Sequence, residues 1–196
     1  MVRGDLFVDY VRMIKSRKDI DWSKYLLPDD MRFLNETIIN SEWYPFDTFE
    51  RMGVGIITEY ADKDMQTVRL WGRTQVHDLI QTHKDLVCEG DAAETLMRYH
   101  VLRKTFFNFS AVDLAGVNDG YAKFRISYNM SRLAEEAATY QTLGFFEGLL
   151  TLSGATDIRY KFTSRLWEGD AYTILEMQWR TGTGETFAKV NLIAKV

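Results

Sequence analysis

Few residues of this sequence have the type and spacing that ordinary active sites need. The 196 residues include one Cys and three His, against 12 Phe, 10 Tyr and 5 Trp. Cys88 has no adjacent histidine or cationic cluster that would favour its thiolate, and no serine lies in a Gly-x-Ser-x-Gly nucleophile turn. We therefore expect that the chain is not an enzyme.

The histidines do not have the spacing of a metal site. His77 and His83 are six residues apart, whereas two ligands on one helix face are about three or four apart. With a single Cys, one chain cannot form a disulfide or a multi-thiolate zinc site. His100 lies in the most apolar predicted helix, so it must find a hydrogen-bond partner or contact a ligand. We expect no metal and no cofactor.

Composition and charge narrow the function classes further. With 46% hydrophobic and 27% charged residues, the sequence is typical of a globular protein. The net charge of -4 and the pI near 5.5 give no overall field that attracts phosphates, so we expect no nucleic-acid partner. No apolar run approaches the roughly 20 residues that span a bilayer. Together with the lone cysteine, this predicts a cytoplasmic protein that does not bind membranes.

The N-terminal part, residues 1–109, shows mainly helical spacing of apolar residues. The pattern predicts a first helix over about residues 4–17 and a short second one that starts at Asp29-Asp30 and continues to Ile39. Further helices are expected after Asp47, around residues 68–80, and from Glu94 onwards. The last of these carries apolar residues on nearly all sides as far as Phe107, which predicts the central buried helix.

The C-terminal part, residues 110–196, changes to strand spacing around one long helix. Alternating residues on one side of Asn118-Asp119-Gly120 predict a hairpin, and Ser131 to Leu150 predicts a helix. A second hairpin is expected to turn at residues 167–170, and a last strand at residues 188–196. The predicted fold is α+β, a single domain over residues 1–196 with a helical layer packed on an antiparallel sheet of about four to five strands.

Two glycines interrupt the long helix of the C-terminal part. Gly144 and Gly148 are four residues apart, and each costs roughly 1 kcal/mol relative to Ala inside a helix. Something must therefore approach the backbone closely at this face. A strand, a neighbouring helix and a ligand are all compatible with the pattern.

The order of elements and several short motifs resemble a known family over about residues 30–180. The motifs are the following: Trp43-Tyr44-Pro45, Phe124-Arg125-Ile126, the helix with Gly144 and Gly148, Arg165 to Asp170, and Met177-Gln178-Trp179. The family is a bacterial one first described from myxobacteria and related to the 4-vinyl reductase domains. Its superfamily also includes the haem-nitric oxide binding domains and small subunits of a vesicle-tethering complex. The resemblance implies a helical layer on an antiparallel sheet, dimerisation and an enclosed small molecule.

The sequence departs from the cofactor patterns of these relatives. No cysteine accompanies Thr163, Ser164 and Arg165 where vinyl reductase-type sensors bind zinc. In the haem signature, Tyr128 and Arg132 have matching positions after His100, but the serine is displaced by one residue to Ser131. Cys88, the one candidate for acylation, lies in a predicted loop. These departures agree with the expectation that the chain has no cofactor.

The resemblance implies a non-enzymatic domain that binds an apolar small molecule and has a sensory or regulatory role. We expect a homodimer that acts on a signalling partner protein, with an apolar cavity between the sheet and the central helices. The predicted ligand-binding residues are these: Trp71, Tyr99, Phe106, Phe124, Phe145 and Leu149 as the lining, and His100 or Gln141 as the polar contact.

Two other hypotheses stay open on the sequence alone. A protein-protein interaction or scaffold module would act as a homodimer without a ligand and would have no cavity above about 300 Å³. An enzyme with an unfamiliar site would need a buried carboxylate or histidine in a cleft.

Overall fold

A computed structural model describes residues 1–181 of the chain. The helices are α1 (Gly4–Ser16), α2 (Pro28–Met31), α3 (Phe46–Ala61), α4 (Met65–Thr82), α5 (Ala92–Arg103) and α6 (Arg132–Leu152). The strands are β1 (Val2–Arg3), β2 (Trp43–Tyr44), β3 (Val112–Asn118), β4 (Tyr121–Ile126), β5 (Ala155–Ser164) and β6 (Thr173–Thr181). Within residues 1–181, no helix is both long and apolar enough to cross a membrane. The strand predicted at residues 188–196 lies outside the described residues, so the single domain over residues 1–196 stays a prediction.

The sheet confirms the predicted fold class and both hairpins. Strands β3, β4, β6 and β5 lie side by side in that order, and each neighbouring pair is antiparallel. Gly120 closes the first hairpin with a φ of +84°, a conformation that glycine adopts without steric cost. The inner face of β4 packs under α6, where the rings of Phe124 and Phe146 stack with centroids 4.1 Å apart. The result is the expected helical layer on an antiparallel sheet.

The second helix is shorter than the periodicity predicted. Helix α2 ends at Met31 and is followed by one 3-10 turn, Arg32–Leu34, so the extension to Ile38 and Ile39 was wrong. The backbone N–H of Ile39 donates instead to the Tyr44 hydroxyl over 2.8 Å. The segment also crosses the start of α1, where the N–H of Gly4 donates to the carbonyl of Glu42 over 2.9 Å, a contact distant in sequence that no local apolar pattern could reveal.

Helix α5 is not the central helix, which corrects a second expectation. It ends at Arg103 rather than continuing to Phe107, and beyond its end the N–H of Arg3 bonds to the carbonyl of Phe106 over 2.9 Å. Val101 on its outer face is 66% exposed. The most deeply buried helix is α6, in which Leu143 and Leu149 are fully buried.

The two glycines of α6 mark a close contact with helix α4. A Cβ atom added to Gly144 would lie 1.8 Å from the carbonyl oxygen of Arg69, and one added to Gly72 would lie 1.9 Å from that of Gln141. Close to this crossing, the Arg69 Nε donates to Glu147 over 2.8 Å. A neighbouring helix is therefore what approaches the glycine face.

Replacing Gly144 by alanine should destabilise the fold. The new methyl group would force the α4 and α6 backbones apart, so we expect the free energy of unfolding to fall by about 3 kcal/mol, at the upper end of overpacking costs. Urea denaturation followed by circular dichroism measures this change. Gly116→Ala is the control, because its Cβ would meet no atom within 4 Å. Equal stability of the two variants would contradict the close crossing.

Candidate ligand-binding cavity

A cavity of about 760 Å³ lies between α1, α3, α5, α6 and the C-terminal end of α4. This volume falls within the range of about 300–1,000 Å³ that is typical of small-molecule sites. One face of α6 forms its floor with residues at helical spacing: Ala134, Ala138, Gln141, Thr142 and Phe145. The small alanines of this face leave the space that a larger residue would fill.

Aromatic rings make up much of the cavity wall. Tyr10 of α1 stacks on Phe49 of α3 with ring centroids 4.3 Å apart, and Tyr99 of α5 stacks on Phe145 of α6 at 4.6 Å. Gly53 leaves room for the first pair, since a Cβ there would lie 3.3 Å from the Tyr10 ring. Stacked pairs hold these side chains in fixed orientations around an apolar space.

A buried arginine lies at the inner end of the cavity. Arg103 is only 7% exposed and occupies the last turn of α5. Its Nη2 donates to the hydroxyl of Tyr128, whose oxygen is 2.5 Å from the Thr142 hydroxyl. The guanidinium carbon also lies 5.4 Å from the ring centroids of Phe107 and Tyr128. The negative end of the α5 dipole stabilises a cation at this position.

The charge of Arg103 has no carboxylate partner within 4.0 Å among residues 1–181. A guanidinium has five N–H donors, and the Tyr128 hydroxyl accepts from one of them. By contrast, Arg51 donates to the buried Asp30 over 2.6 Å. The inner end of the cavity therefore presents a cation that only neutral hydroxyls, those of Tyr128 and Tyr99, accompany.

Tyrosine hydroxyls next to this arginine are held in their neutral form. Burial raises the pKa of Tyr99 to about 12, and the nearby charge of Arg103 lowers it by less. Burial also raises the pKa of Tyr10. Both side chains line the cavity, so they offer it hydroxyl donors across the physiological pH range.

Glu135 fixes the segment that carries Tyr128. Its buried carboxylate accepts from the backbone N–H of Tyr128 over 2.9 Å and from that of Met130 over 3.0 Å. Burial raises the pKa of Glu135, while these backbone bonds oppose the shift. The Tyr128 hydroxyl is thereby held between Arg103 and Thr142.

The exposed part of the cavity lining is mainly acidic. Asp9 of α1 and Asp78 of α4 are exposed there, together with Arg12, whose guanidinium lies 2.9 Å from Asp9. Partial burial raises the pKa of Asp9, Arg12 lowers it, and the charge of Asp78 raises it further. Near them, the Gln141 amide donates to Gln75 over 2.8 Å. The cavity thus runs from a polar mouth to a cationic inner end.

The predicted ligand-binding residues fall into two groups. The cavity lining includes four of them: Tyr99, Phe106, Gln141 and Phe145. The lining does not include the other four: Trp71, His100, Phe124 and Leu149. Phe124 and Leu149 belong to the core, 2% and 0% exposed, and His100 is half-buried, with a pKa lowered by burial and by Lys104. Ligand contact by any of the eight stays a prediction.

Sequence reasoning missed the polar residues of the inner end. Arg103 follows Tyr99 by four positions and therefore shares its helix face, a signal that could have found it, whereas the predicted polar contacts were His100 and Gln141. Tyr128 was considered only as part of a haem signature. Its link to Arg103, 25 residues away in sequence, has no local pattern.

Comparison with solved structures shows a shared fold. An H-NOX protein from S. oneidensis in the Fe(II)NO ligation state has a TM-score of 0.62 and 12% identity, with 91% of this chain and 99% of that chain covered. A variant in the Fe(II) state has a TM-score of 0.64 and 13% identity, with 93% and 98% covered. A variant H-NOX from T. tengcongensis has a TM-score of 0.55 and 14% identity, with 90% and 97% covered. At these identities the likeness shows the fold. No family model and no curated protein sequence matches the chain.

The side chains that line the cavity fit a haem poorly. Haem iron in proteins is held by His, Cys, Met or Tyr side chains. Side chains of these types in the lining are Tyr10, Tyr99, Tyr128, Met130 and His83. Burial raises the pKa of Tyr10 and Tyr99, which opposes a phenolate ligand, and the Tyr128 hydroxyl is bonded to Arg103 and Thr142. Within residues 1–181, the one histidine of the lining is His83, next to the exposed Thr82 beyond the end of α4. The arrangement of these side chains thus differs from that of the iron ligands in a haem site.

Tyr128→Phe should weaken the fold, because it removes the hydroxyl between Arg103 and Thr142. Leaving buried donors unsatisfied costs about 1–3 kcal/mol, and we expect the free energy of unfolding in guanidinium chloride to fall by that amount. Tyr172→Phe removes a hydroxyl from a side chain that is 47% exposed and should have no effect. The network assignment would fail if both variants were as stable as the wild type.

The raised pKa of Tyr99 predicts a loss of stability at high pH. Unfolded tyrosine ionises near pH 10, whereas folded Tyr99 retains its proton to about pH 12. The stabilising contribution is complete below pH 10 and is lost as the pH rises towards 12. Between these values the wild type should lose more stability than Tyr99→Phe in denaturant titrations. Parallel curves for the two proteins would contradict the shift.

Proposed function

We propose that this chain is a non-enzymatic domain that binds an apolar small molecule and has a sensory or regulatory role. The observation that carries the proposal is the 760 Å³ cavity with stacked aromatic walls. It lies within a fold shared with H-NOX domains over 91% of the chain. Small-molecule sites are mostly apolar and contain a few orienting polar groups, and this cavity has both.

The cavity volume argues against a scaffold with a solid core. Such a module would have no cavity above about 300 Å³, and the observed volume is more than twice that value. The aromatic rings of the cavity wall face water when nothing is bound, and a bound apolar molecule would cover them. Binding is therefore the better explanation of the cavity.

The proposal includes a route from the cavity to other proteins. Helix α5 lines the cavity with Tyr99 and Arg103, while Met97 and Val101, four residues apart on its outer face, are 42% and 66% exposed. A shift of this helix on ligand binding would alter an apolar surface available to a second protein. We include in the proposal a homodimer, a signalling partner protein, a cytoplasmic location, and kinship with the bacterial 4-vinyl reductase-like family.

Phe145→Trp should weaken binding of a neutral apolar probe. The larger ring would intrude into the cavity, and overpacking of about 1–3 kcal/mol corresponds to roughly tenfold weaker affinity. Fluorescence titration with 1-pyrenebutanol measures the dissociation constant, and sedimentation velocity on the same samples measures the dimer, which should persist.

Phe109→Trp is the matched control. Phe109 is a partly buried aromatic outside the cavity lining, and its ring packs against Phe46 at a centroid distance of 4.8 Å. Its replacement should leave the affinity unchanged. Saturable binding that is equally strong in both variants, or no saturable binding to the wild type, would overturn the proposal.

A further inference from the structure

We propose that the ligand carries a carboxylate and that Arg103 binds it at the inner end of the cavity. The inference rests on the proposed function, since it names the chemical class of the molecule that the cavity takes. Its basis is the way in which this protein compensates the charges that it buries.

Four ionisable side chains with a charged form at neutral pH are buried within residues 1–181: Asp30, Arg103, Glu135 and Glu147. Two of them have an arginine partner, since Arg51 lies 2.6 Å from Asp30 and Arg69 donates to Glu147 over 2.8 Å. Glu135 accepts from two backbone N–H groups. Only Arg103 lacks both an opposite charge within 4.0 Å and a set of bonds to the backbone.

An unpaired buried cation is costly, because a charge loses its hydration when it leaves water. Arg103 is also the one member of these four that lines the cavity. Its missing anion can therefore be supplied by a molecule in the cavity, where the free N–H donors of the guanidinium remain accessible. Guanidinium groups bind carboxylates through two parallel hydrogen bonds.

The surroundings of Arg103 favour a single negative charge on an otherwise apolar molecule. Only neutral hydroxyls accompany it at this end, those of Tyr99, Tyr128 and Thr142, so the site supplies one positive charge. The neutral phenol of Tyr99 offers a further donor to a carboxylate oxygen. Beyond these groups, the stacked aromatic rings fit an apolar body.

The acidic mouth sets the orientation of this molecule. Asp9 and Asp78 line the exposed part of the cavity, and the cation beside them, Arg12, is paired with Asp9 over 2.9 Å. The net charge of these three side chains is negative and repels a carboxylate placed there. The favourable arrangement has the carboxylate innermost on Arg103 and the apolar body extended towards α1 and α4. Charge therefore distinguishes the two ends of the ligand.

A matched pair of fluorescent probes tests the inference on the wild-type protein. 1-Pyrenebutyrate and 1-pyrenebutanol have the same apolar body and differ in the carboxylate. Charge-assisted hydrogen bonds in a buried site are expected to make the butyrate bind at least about tenfold more tightly at pH 7.5. Equal affinities, or weaker binding of the butyrate, would overturn the carboxylate assignment while leaving cavity binding intact. Failure of both probes to bind would overturn the proposed function itself.

The variant Arg103→Met tests whether Arg103 is the residue that binds the carboxylate. It replaces the cation by an apolar chain, so butyrate affinity should fall about tenfold or more while butanol affinity is retained. Arg98→Met, on the exposed face of the same helix, is the control and should change neither affinity. If Arg103→Met does not fold, Arg103→Lys retains the charge without the planar fork and should bind the butyrate with intermediate affinity. Unchanged preference for the butyrate in a folded Arg103 variant would overturn the role of this residue.

Discussion

The direct contact between the backbones of α4 and α6 is the constraint on which the arrangement of the other elements depends. Glycines at positions 72, 144 and 148 permit this contact, since a Cβ at any of them would lie within 3.0 Å of an atom of the other helix. One face of α6 contacts α4, and a second face packs on the sheet through Phe146. A third face, which carries Ala134 and Ala138, points towards α1 and α3. Glycine lowers the stability of a helix relative to alanine, and the close packing of α4 on α6 offsets this cost. The cavity is the space left over this third face.

The way in which the fold compensates its buried charges connects this architecture to function. The buried carboxylates of Asp30 and Glu147 have arginine partners, and these pairs lie between elements that must stay together. Arg103 follows a different pattern, because the α5 dipole and a chain of two hydroxyls stabilise it without neutralising its charge. Removing a lone charge from water is unfavourable unless it binds something. A cavity that ends at such a residue is therefore suited to an anionic group on an apolar molecule rather than to a haem.

The parts of the fold that depend on neighbouring residues could be predicted from the sequence. The two hairpins follow from strand alternation and from Gly120, and α1, α3 and α4 follow from helical periodicity. The end of α5 could not be predicted from periodicity, because Phe106 and Phe107 beyond it continue the apolar pattern, while the carbonyl of Phe106 bonds to the distant Arg3. A cavity was expected between the sheet and the central helices, but this location was wrong: no residue of β3 to β6 lines it, and it lies among the helices. Tyr99 and Phe145 lie in its lining, whereas Phe124 belongs to the core, because apolar patterns do not distinguish a cavity wall from a core. Arg103 shares a helix face with Tyr99, but its bond to Tyr128 spans 25 residues and has no local pattern.

The central claim, that the space over α6 receives a ligand, is tested most directly by locating a bound probe in solution. Methyl-labelled protein can be titrated with 1-pyrenebutanol and followed by two-dimensional NMR. The account predicts saturable shifts of the methyl groups of Ile57, Leu79 and Met130, which line the cavity. Shifts confined to the exposed methyl groups of Leu70 and Met97, which are 59% and 42% accessible, would place the probe on the surface. That result would contradict the account.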